Sequence, residues 1–359
     1  MPNVFNRLAQ PTAIFRNADA LSPEFLPESL PGREAQESEL ALALKPAAEG
    51  GRPANCFIFG PSGTGKTSTC RKVLAQLQEY SGRAFCFYAN CWQYETEQAV
   101  LSALALKLGA GLPRRGLATD EIFERINQFL KVKKSVPVVV LDEADRLFYG
   151  GEQKLLYRFS RSGEQGGAHF ATVMVTNDAE LMAKADQRIR SSLSAKQIEF
   201  EAYSPTQLKS ILQYRAQMSL APGAYGDEVI ALCAAHGAKN GGDARTALQA
   251  LWLAAKQAEG SSAQRITLEH VKKAMGSAAP SAQQKLERDE QALDARLKAM
   301  LEIIQSNPEG IEVGKLYTQY EDKHGGGERT LRNYLRELEF KKLVKTEPTQ
   351  GGFKIAKAV

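Results

Sequence analysis

Residues 56 to 67 read CFIFGPSGTGKT, an apolar run that passes directly into a glycine-rich loop ending in Lys-Thr. Gly60, Gly65, Lys66 and Thr67 fit the spacing G-x-x-x-x-G-K-[ST], in which backbone N–H groups wrap phosphates, the lysine reaches the β and γ oxygens and the threonine hydroxyl ligates Mg²⁺. Glycines let the backbone approach an anion without a Cβ clash. A helix opening at Lys66 would present unpaired N–H groups and the positive end of its dipole to the same anion. The plain alternative, a glycine-rich turn, does not call for the strand before and the helix after that this stretch supplies. The loop announces a nucleoside triphosphate, and it commits the fold to a strand, a phosphate loop and a helix in succession.

Such a strand needs partners, and the chain provides them. Strand signals recur at 84 to 89, 136 to 141, 171 to 176 and 197 to 200, mostly separated by helical patterns, which predicts an α/β core with a parallel sheet wrapped by helices. A helix is expected from Glu34 to Leu44. Ahead of it, Pro2, Pro11, Pro23, Pro27 and Pro31 punctuate an arm that reads as extended rather than as helix or strand. After Pro205 the strand signals stop, and Thr206 to Met275 reads as helices broken at Pro222-Gly223, Gly241-Gly242 and Gly260-Ser261-Ser262. The stretch GSAAPSAQQ, Gly276 to Gln284, has the composition of a linker. The expected boundaries are an arm over 1–33, the α/β core over 34–201, a helical domain over 202–278, a linker over 279–292 and a last module over 293–359.

A chain of 359 residues has room for two or three domains, each with its own core. The formal net charge of +5 permits a nucleic-acid partner without demanding one. Cys56, Cys70, Cys86, Cys91 and Cys233 form no CxxC pair, so neither a disulfide framework nor a zinc site is indicated, and a reducing cytoplasm is the expected location. No apolar run approaches the ~20 residues that cross a bilayer, and the first residues hold no signal-peptide core; the expectation is a chain neither secreted nor membrane-bound.

Around the phosphate loop the sequence places a small set of chemical groups. Val138, Val139, Val140 and Leu141 run into Asp142-Glu143, so a buried strand delivers two carboxylates to its carboxyl end, beside the loop in such a sheet. Asp142 would hold Mg²⁺ through water and Glu143 would polarise the attacking water; a solvated helix start is the plain alternative. Phosphoryl transfer is mostly positioning and charge stabilisation, so few other groups are needed. Asn177, after the strand 171 to 176, could bond the γ-phosphate or the lytic water, or merely cap the next helix. Arg188 and Arg190, in DQRIRSSL, precede the last strand; either could be a finger acting in a neighbouring subunit's site, or a surface arginine.

From about Leu293 the pattern changes to LKAMLEII, then a helix over Val313 to Tyr320, the glycines 325 to 327, and a third helix from Glu328 to Glu339. Three helices before a strand pair predict a winged helix, with Leu343 to Glu347 and Phe353 to Ala356 as the wing. In the third helix Leu331, Tyr334, Leu335 and Leu338 share one face, while Arg329, Arg332, Asn333 and Arg336 share the other. Between Glu328 and Lys357 there are eight Lys or Arg, Lys354 on the wing among them, against four acids. Arginine forks onto guanine edges and lysine neutralises phosphates, so this face and Lys354 are candidate DNA contacts; a solvated basic helix is the plain alternative.

The ordered set GPSGTGKT, VVVLDEAD, VTND, the RIRSSL box and Gly242-Asp243-Ala244-Arg245 resembles the initiator clade of AAA+ ATPases. More narrowly, it resembles the archaeal replication initiators related to the origin recognition complex and its helicase-loading cofactor. The arm carries the resemblance too, in Ile14-Phe15-Arg16-Asn17, Leu21-Ser22-Pro23 and Leu30-Pro31-Gly32-Arg33-Glu34. Nearly the whole chain is covered. The resemblance implies a P-loop AAA+ core, a helical lid and a winged-helix domain. It also implies that Gly63, Thr64, Gly65, Lys66 and Thr67 bind the phosphates of ATP or ADP, that Asp142 and Glu143 serve Mg²⁺ and hydrolysis, and that Asn177 is the first sensor. Arg245 matches the second sensor, reaching from the lid to the γ-phosphate so that lid position reports ATP or ADP. Tyr203 and Arg215, in YSPTQLKSILQYR, match positions that line the nucleotide site; from the residues alone they are a hinge aromatic and a solvated helix residue. Arg188 matches the trans-acting arginine better than Arg190. Arg114 and Arg115, in the turn that follows the inserted element Gln93 to Leu112, would touch DNA by resemblance and are an exposed basic turn by sequence. The wing tip Thr349 to Phe353 departs from the family's arginine-rich tip.

The function so implied is an ATP-dependent initiator that recognises origin DNA, helps load the replicative helicase, assembles with itself on DNA through the Arg188 face, and is switched by ATP binding and slow hydrolysis. A nucleotide-bound DNA regulator with little turnover is a second reading, against which Glu143, Asn177 and Arg245 speak. An ATPase of a transposition or plasmid-maintenance system shares the core; the arm and the Gly-Asp-Ala-Arg element favour the initiator.

Overall fold

In the sheet that carries the glycine-rich loop, alternate residues face two different helical layers. The computed structural model describes residues 14–111, 116–164, 166–278, 294–307, 310–340, 343–348 and 354–358. Strands β1 (Cys56–Phe59), β2 (Ala84–Asn90), β3 (Val136–Asp142), β4 (Ala171–Thr176) and β5 (Lys196–Glu199) pair in parallel in the order β2-β3-β4-β1-β5. Val139, Leu141 and Met174 belong to one apolar layer; Val138, Val140, Val173 and Val175 belong to the other. Burial on both faces with a period of two is what a parallel sheet between helices requires.

One face is covered by α1 (Glu34–Glu49) and α2 (Lys66–Tyr80), through Leu40, Leu44, Val73 and Leu77. The other is covered by α3 (Glu97–Leu108) and α4 (Thr119–Lys133), through Leu101, Leu104, Ile126 and Leu130. Three short helices continue this layer: α5 (Asp145–Tyr149), α6 (Lys154–Arg161) and α8 (Gln187–Leu193), with the single turn α7 (Leu181–Lys184) between the last two. The helix expected over 34–44 runs one turn further, accepts Pro46 inside it, and stops at Gly50 in the left-handed conformation. The inserted element after β2 is α3; the turn residues Arg114 and Arg115 lie outside the described residues.

The helical domain comprises α9 (Pro205–Ser219), α10 (Asp227–Lys239), α11 (Ala244–Gly260) and α12 (Leu268–Ala278), with breaks where Pro222-Gly223, Gly241-Gly242 and Gly260 to Ser262 interrupt the pattern. The first of these helices starts where its chemistry dictates. Ser204 Oγ accepts from the Gln207 amide at 3.2 Å, the Gln207 side chain accepts from the Ser204 amide at 2.9 Å, and Pro205 takes the first helical position, where no N–H is needed.

The arm departs from the extended expectation. Ala18–Leu21 forms a 3₁₀ turn, Phe15 makes a β-bridge with Leu220, and Ile14 and Leu21 are buried in the helical domain's core beside Leu212 and Leu251. Prolines exclude a long helix but not a turn, and two large apolar side chains have more to gain in a core than in water.

The chain divides into two compact units, Met1–Ala278 and Ala279–Val359. In the second, α13 (Ala295–Gln305), β6 (Ile311–Glu312), α14 (Val313–His324), α15 (Glu328–Phe340), β7 (Val344–Pro348) and β8 (Lys354–Ala358) form a winged helix whose antiparallel sheet has the order β6-β8-β7. β6 has no counterpart in the sequence expectation. Leu331, Leu335 and Leu338 are buried with Leu301, Ile304 and Leu316, as the spacing on α15 predicts. The wing tip and the linker over 279–292 lie outside the described residues. Among the described residues no helix is long and apolar enough to cross a membrane.

Candidate nucleotide-binding site

The loop between β1 and α2 bends through Gly60, Gly63 and Gly65, with φ of 145°, 71° and 89°. A Cβ on Gly60 would stand 2.1 Å from the Phe200 carbonyl oxygen, so glycine is required there by approach as well as by dihedral. The loop throws the Lys66 ammonium back over itself. Its Nζ donates to the Gly60 and Pro61 carbonyls at 2.7 Å each and to Asn177 Oδ1 at 2.8 Å.

Burial pushes the Lys66 pKa down from 10.5 to about 8, against the opposing pull of the Glu143 and Asp142 charges. A phosphate needs the ammonium form. Nucleotide affinity is therefore expected to fall as pH rises through about 8, by up to about tenfold per pH unit. Unliganded stability should move the opposite way: the unfolded chain binds the extra proton between about 8 and 10.5, so this group favours folding as pH climbs through that window. Calorimetric titration with ADP and ligand-free thermal unfolding at pH 7 and pH 9 check both signs.

The end of β3 supplies the carboxylates. Asp142 is 4 % exposed; its Oδ2 accepts from the Thr67 hydroxyl at 2.7 Å and from the Tyr88 phenol at 2.6 Å, and its Oδ1 from the Glu143 amide at 3.0 Å. Glu143 sits at φ 55°, a left-handed conformation that costs a non-glycine residue free energy and is found at sites where the surroundings over-determine it. Its Oε2 lies 3.4 Å from Asn177 Nδ2. Burial first, then the charges of Asp145 and Asp142, raise the Glu143 carboxyl above its ordinary range. The structure thus gathers Lys66, Thr67, Asp142, Glu143 and Asn177, residues far apart in sequence, at the carboxyl ends of β1, β3 and β4.

Thr67 and Asp142 offer hard oxygen donors to one point, which suits Mg²⁺. Among the described residues no cluster of three or more His, Cys, Asp or Glu could hold a metal by itself. An ion here would complete its shell with phosphate oxygens and water, the usual arrangement for Mg²⁺ in nucleotide sites.

The helical domain closes the other side. Asp243 caps α11, its Oδ1 accepting from the Arg245 and Thr246 amides at 2.7 and 3.1 Å, and the Ala244 amide donates to the Gly63 carbonyl at 3.1 Å. A Cβ on Gly63 would meet Asp243 Oδ1 at 1.9 Å. Arg245 is exposed and lines a cleft with Gly63, Gly65, Pro31 and Tyr203; its charge opposes that of Lys66 and favours the Glu143 carboxylate. Tyr203 is buried, with its hydroxyl against Gly65.

Arg215 lines the same cleft, yet it is not the solvated residue that its local pattern suggests. It is 6 % exposed and donates to the Ala20 carbonyl and, at 2.6 Å, to the Ser22 carbonyl, so its guanidinium ties the arm to α9. Burial lowers its pKa to about 10. Sequence reasoning also passed over Arg33. Its Nε donates to the Thr64 carbonyl at 2.7 Å, its Nη2 to the Glu201 carbonyl at 2.5 Å, and its guanidinium stacks 3.8 Å from the Tyr203 ring centre. One buried side chain thus joins the arm, the phosphate loop and the hinge into the helical domain. The available signal was an arginine in a proline-punctuated lead-in, which says nothing about those partners.

Arg188 and Arg190 are exposed on α8, and the Arg190 guanidinium donates to the Ala183 carbonyl at 3.4 Å. In the second unit Arg329, Arg332, Asn333 and Arg336 are all exposed on α15; Arg332 pairs with Glu328 at 2.6 Å. The Lys354 side chain, on β8, lies outside the described residues.

Residues 51–182 match the AAA domain, and residues 209–276 match the Cdc6 AAA+ ATPase-type lid domain. The ORC1-type DNA replication protein 1 of Archaeoglobus fulgidus is 39 % identical over 277 residues, which cover 76 % of this chain and 68 % of that protein. The ORC1-type DNA replication protein 1 of Aeropyrum pernix is 34 % identical over 337 residues, covering 90 % of this chain and 83 % of that one. The structure of the Aeropyrum pernix ORC1 protein in complex with DNA matches with a TM-score of 0.73 at 30 % identity, over 97 % of this chain and 94 % of that chain. With a phosphate loop, paired carboxylates and a Cdc6-type lid in one unit and a winged helix in the other, the chain belongs to the ORC1-type DNA replication proteins, replication initiators of the AAA+ ATPase class.

Proposed function

We propose that this protein binds origin DNA through its winged helix, hydrolyses ATP slowly at the β1–α2 loop, uses the nucleotide state to switch DNA affinity, and helps load the replicative helicase. The observation that carries the reading is the pairing, in one chain, of a charge-poised phosphate site with a helix whose one face is packed and whose other face carries exposed Arg329, Arg332, Asn333 and Arg336. A related protein of this family is described in complex with DNA, which supports the same reading.

In the proposed site, Gly63 to Thr67, Lys66 among them, hold the phosphates. Glu143 takes a proton from water that Asn177 helps to orient, and Arg245 carries the state of the γ-phosphate to α11. Thr67 and Asp142 hold Mg²⁺, which when bound supplies charge neutralisation to the phosphates. Tyr203 and Arg215 shape the cleft for the base. Arg188 serves the site of a neighbouring copy on DNA, and turnover of an Arg188→Ala variant with and without DNA reports that part directly.

Changing Arg336 to alanine is expected to weaken binding to origin DNA by at least about fivefold at fixed salt, the smallest loss that a single base or phosphate contact gives. ATP turnover without DNA should stay at the parent value. Footprinting and anisotropy titration on host genomic fragments provide the measurement, and unchanged DNA affinity would remove α15 from the interface.

A further inference from the structure

Tyr88 stands on β2 two residues before Asn90, which is in register with Asp142 on β3. Alternation along both strands therefore puts Tyr88 and Asp142 on the same face of the sheet, the face covered by α2. The Tyr88 phenol donates to Asp142 Oδ2 at 2.6 Å, the oxygen that also receives the Thr67 hydroxyl at 2.7 Å. Arg71, one turn beyond Thr67 on α2, stacks its guanidinium 4.5 Å from the Tyr88 ring centre.

A half-buried tyrosine usually finds some acceptor for its hydroxyl. This one shares a single oxygen of a buried carboxylate with the threonine of the phosphate loop, and its own ring is held by an arginine from the same helix as that threonine. We infer that Tyr88 is a positioning residue for Asp142: its phenol fixes the carboxylate in the rotamer that faces Thr67 and thereby sets how tightly the site takes Mg²⁺. The inference rests on Thr67 and Asp142 being the metal-holding pair. Asp142 has little else to orient it, because its remaining hydrogen bond comes from the backbone of the next residue and goes to the other oxygen. Groups that orient a metal-ligating carboxylate from behind change metal affinity by about 10–100-fold when removed.

Tyr88→Phe removes one oxygen and keeps the ring beneath Arg71. ADP binding by the full chain, followed as free Mg²⁺ is raised from an EDTA-buffered start, is expected to show the variant's Mg²⁺ midpoint shifted upward by about tenfold or more. Its affinity for ADP in EDTA should equal that of the parent. An unchanged midpoint overturns the inference, and so does a loss of ADP affinity that is equal with and without metal, which a tyrosine of merely structural importance would give. If the parent protein's nucleotide binding does not respond to Mg²⁺ at all, the assignment of Thr67 and Asp142 as the metal pair fails first, and the inference falls with it.

Discussion

Replacing Glu143 by glutamine is expected to lower ATP turnover by about 10²–10⁴-fold while ATP continues to bind, the loss usual for removal of a general base. Glutamine keeps the length of the side chain and its capacity to bond Asn177, and removes the proton acceptor. Lys66, Thr67 and Asp142, which would carry the affinity for the triphosphate, are untouched. Burial and the flanking acids raise the Glu143 carboxyl above its ordinary range, which brings a base closer to the strength that proton transfer near neutrality favours. Single-turnover hydrolysis alongside equilibrium binding of ATP separates the two effects. Turnover close to the parent rate would place the base elsewhere.

Arg33→Ala is expected to cost the first unit about 3 kcal/mol of stability, because hydrogen bonds from a charged donor contribute about 1.5–3 kcal/mol each and one buried and one part-buried carbonyl lose theirs. The Thr64 and Glu201 carbonyls would keep no replacement donor, and the Tyr203 ring would lose its cationic cover. For a unit of this size such a loss lowers the thermal midpoint by roughly 5 °C. Arg33→Lys should recover a part, since an ammonium restores charge without the planar fork that reaches two carbonyls and stacks on a ring. Thermal unfolding of both variants checks the order. Equal midpoints for the parent and Arg33→Ala would mean that the arm, loop and hinge hold together without the guanidinium.

The sheet was legible because each strand carries its own signal. Residues 137–141 and 171–176 are buried on both faces, so mostly apolar runs mark them without reference to anything distant. The grouping of the candidate phosphate residues was legible for a related reason. Its residues sit at the ends of those strands, where a few local letters fix both the backbone and the side chain.

What escaped were residues defined by partners far along the chain. Arg33 reaches a carbonyl 31 residues away and another 168 residues away, and Tyr88 reaches a carboxylate 54 residues away. No period or spacing encodes such pairs. The reading of Arg215 from its local pattern alone failed on the same ground: a lone arginine on a helix looks solvated until the arm's carbonyls are brought to it. Strand β6 is two residues long and cannot display a period of two, and it exists because Ile311 and Glu312 pair with β8. The short turn at Ala18–Leu21 was hidden by prolines that forbid a longer helix and permit this one.

The central claim is that DNA affinity depends on the nucleotide held at the β1–α2 loop. A ligand shifts an equilibrium only to the extent that it binds the two states differently, so ATP and ADP must be discriminated by something that moves. In the proposed account that part falls to Arg245, at the start of a helix whose first amide touches the loop at Gly63. Binding of origin DNA to the Glu143→Gln protein, titrated with ATP and with ADP at one fixed salt concentration, measures that dependence directly. The account predicts DNA affinity at least about tenfold tighter with ATP, a coupling of about 1.4 kcal/mol. Equal affinities in the two nucleotide states would contradict it.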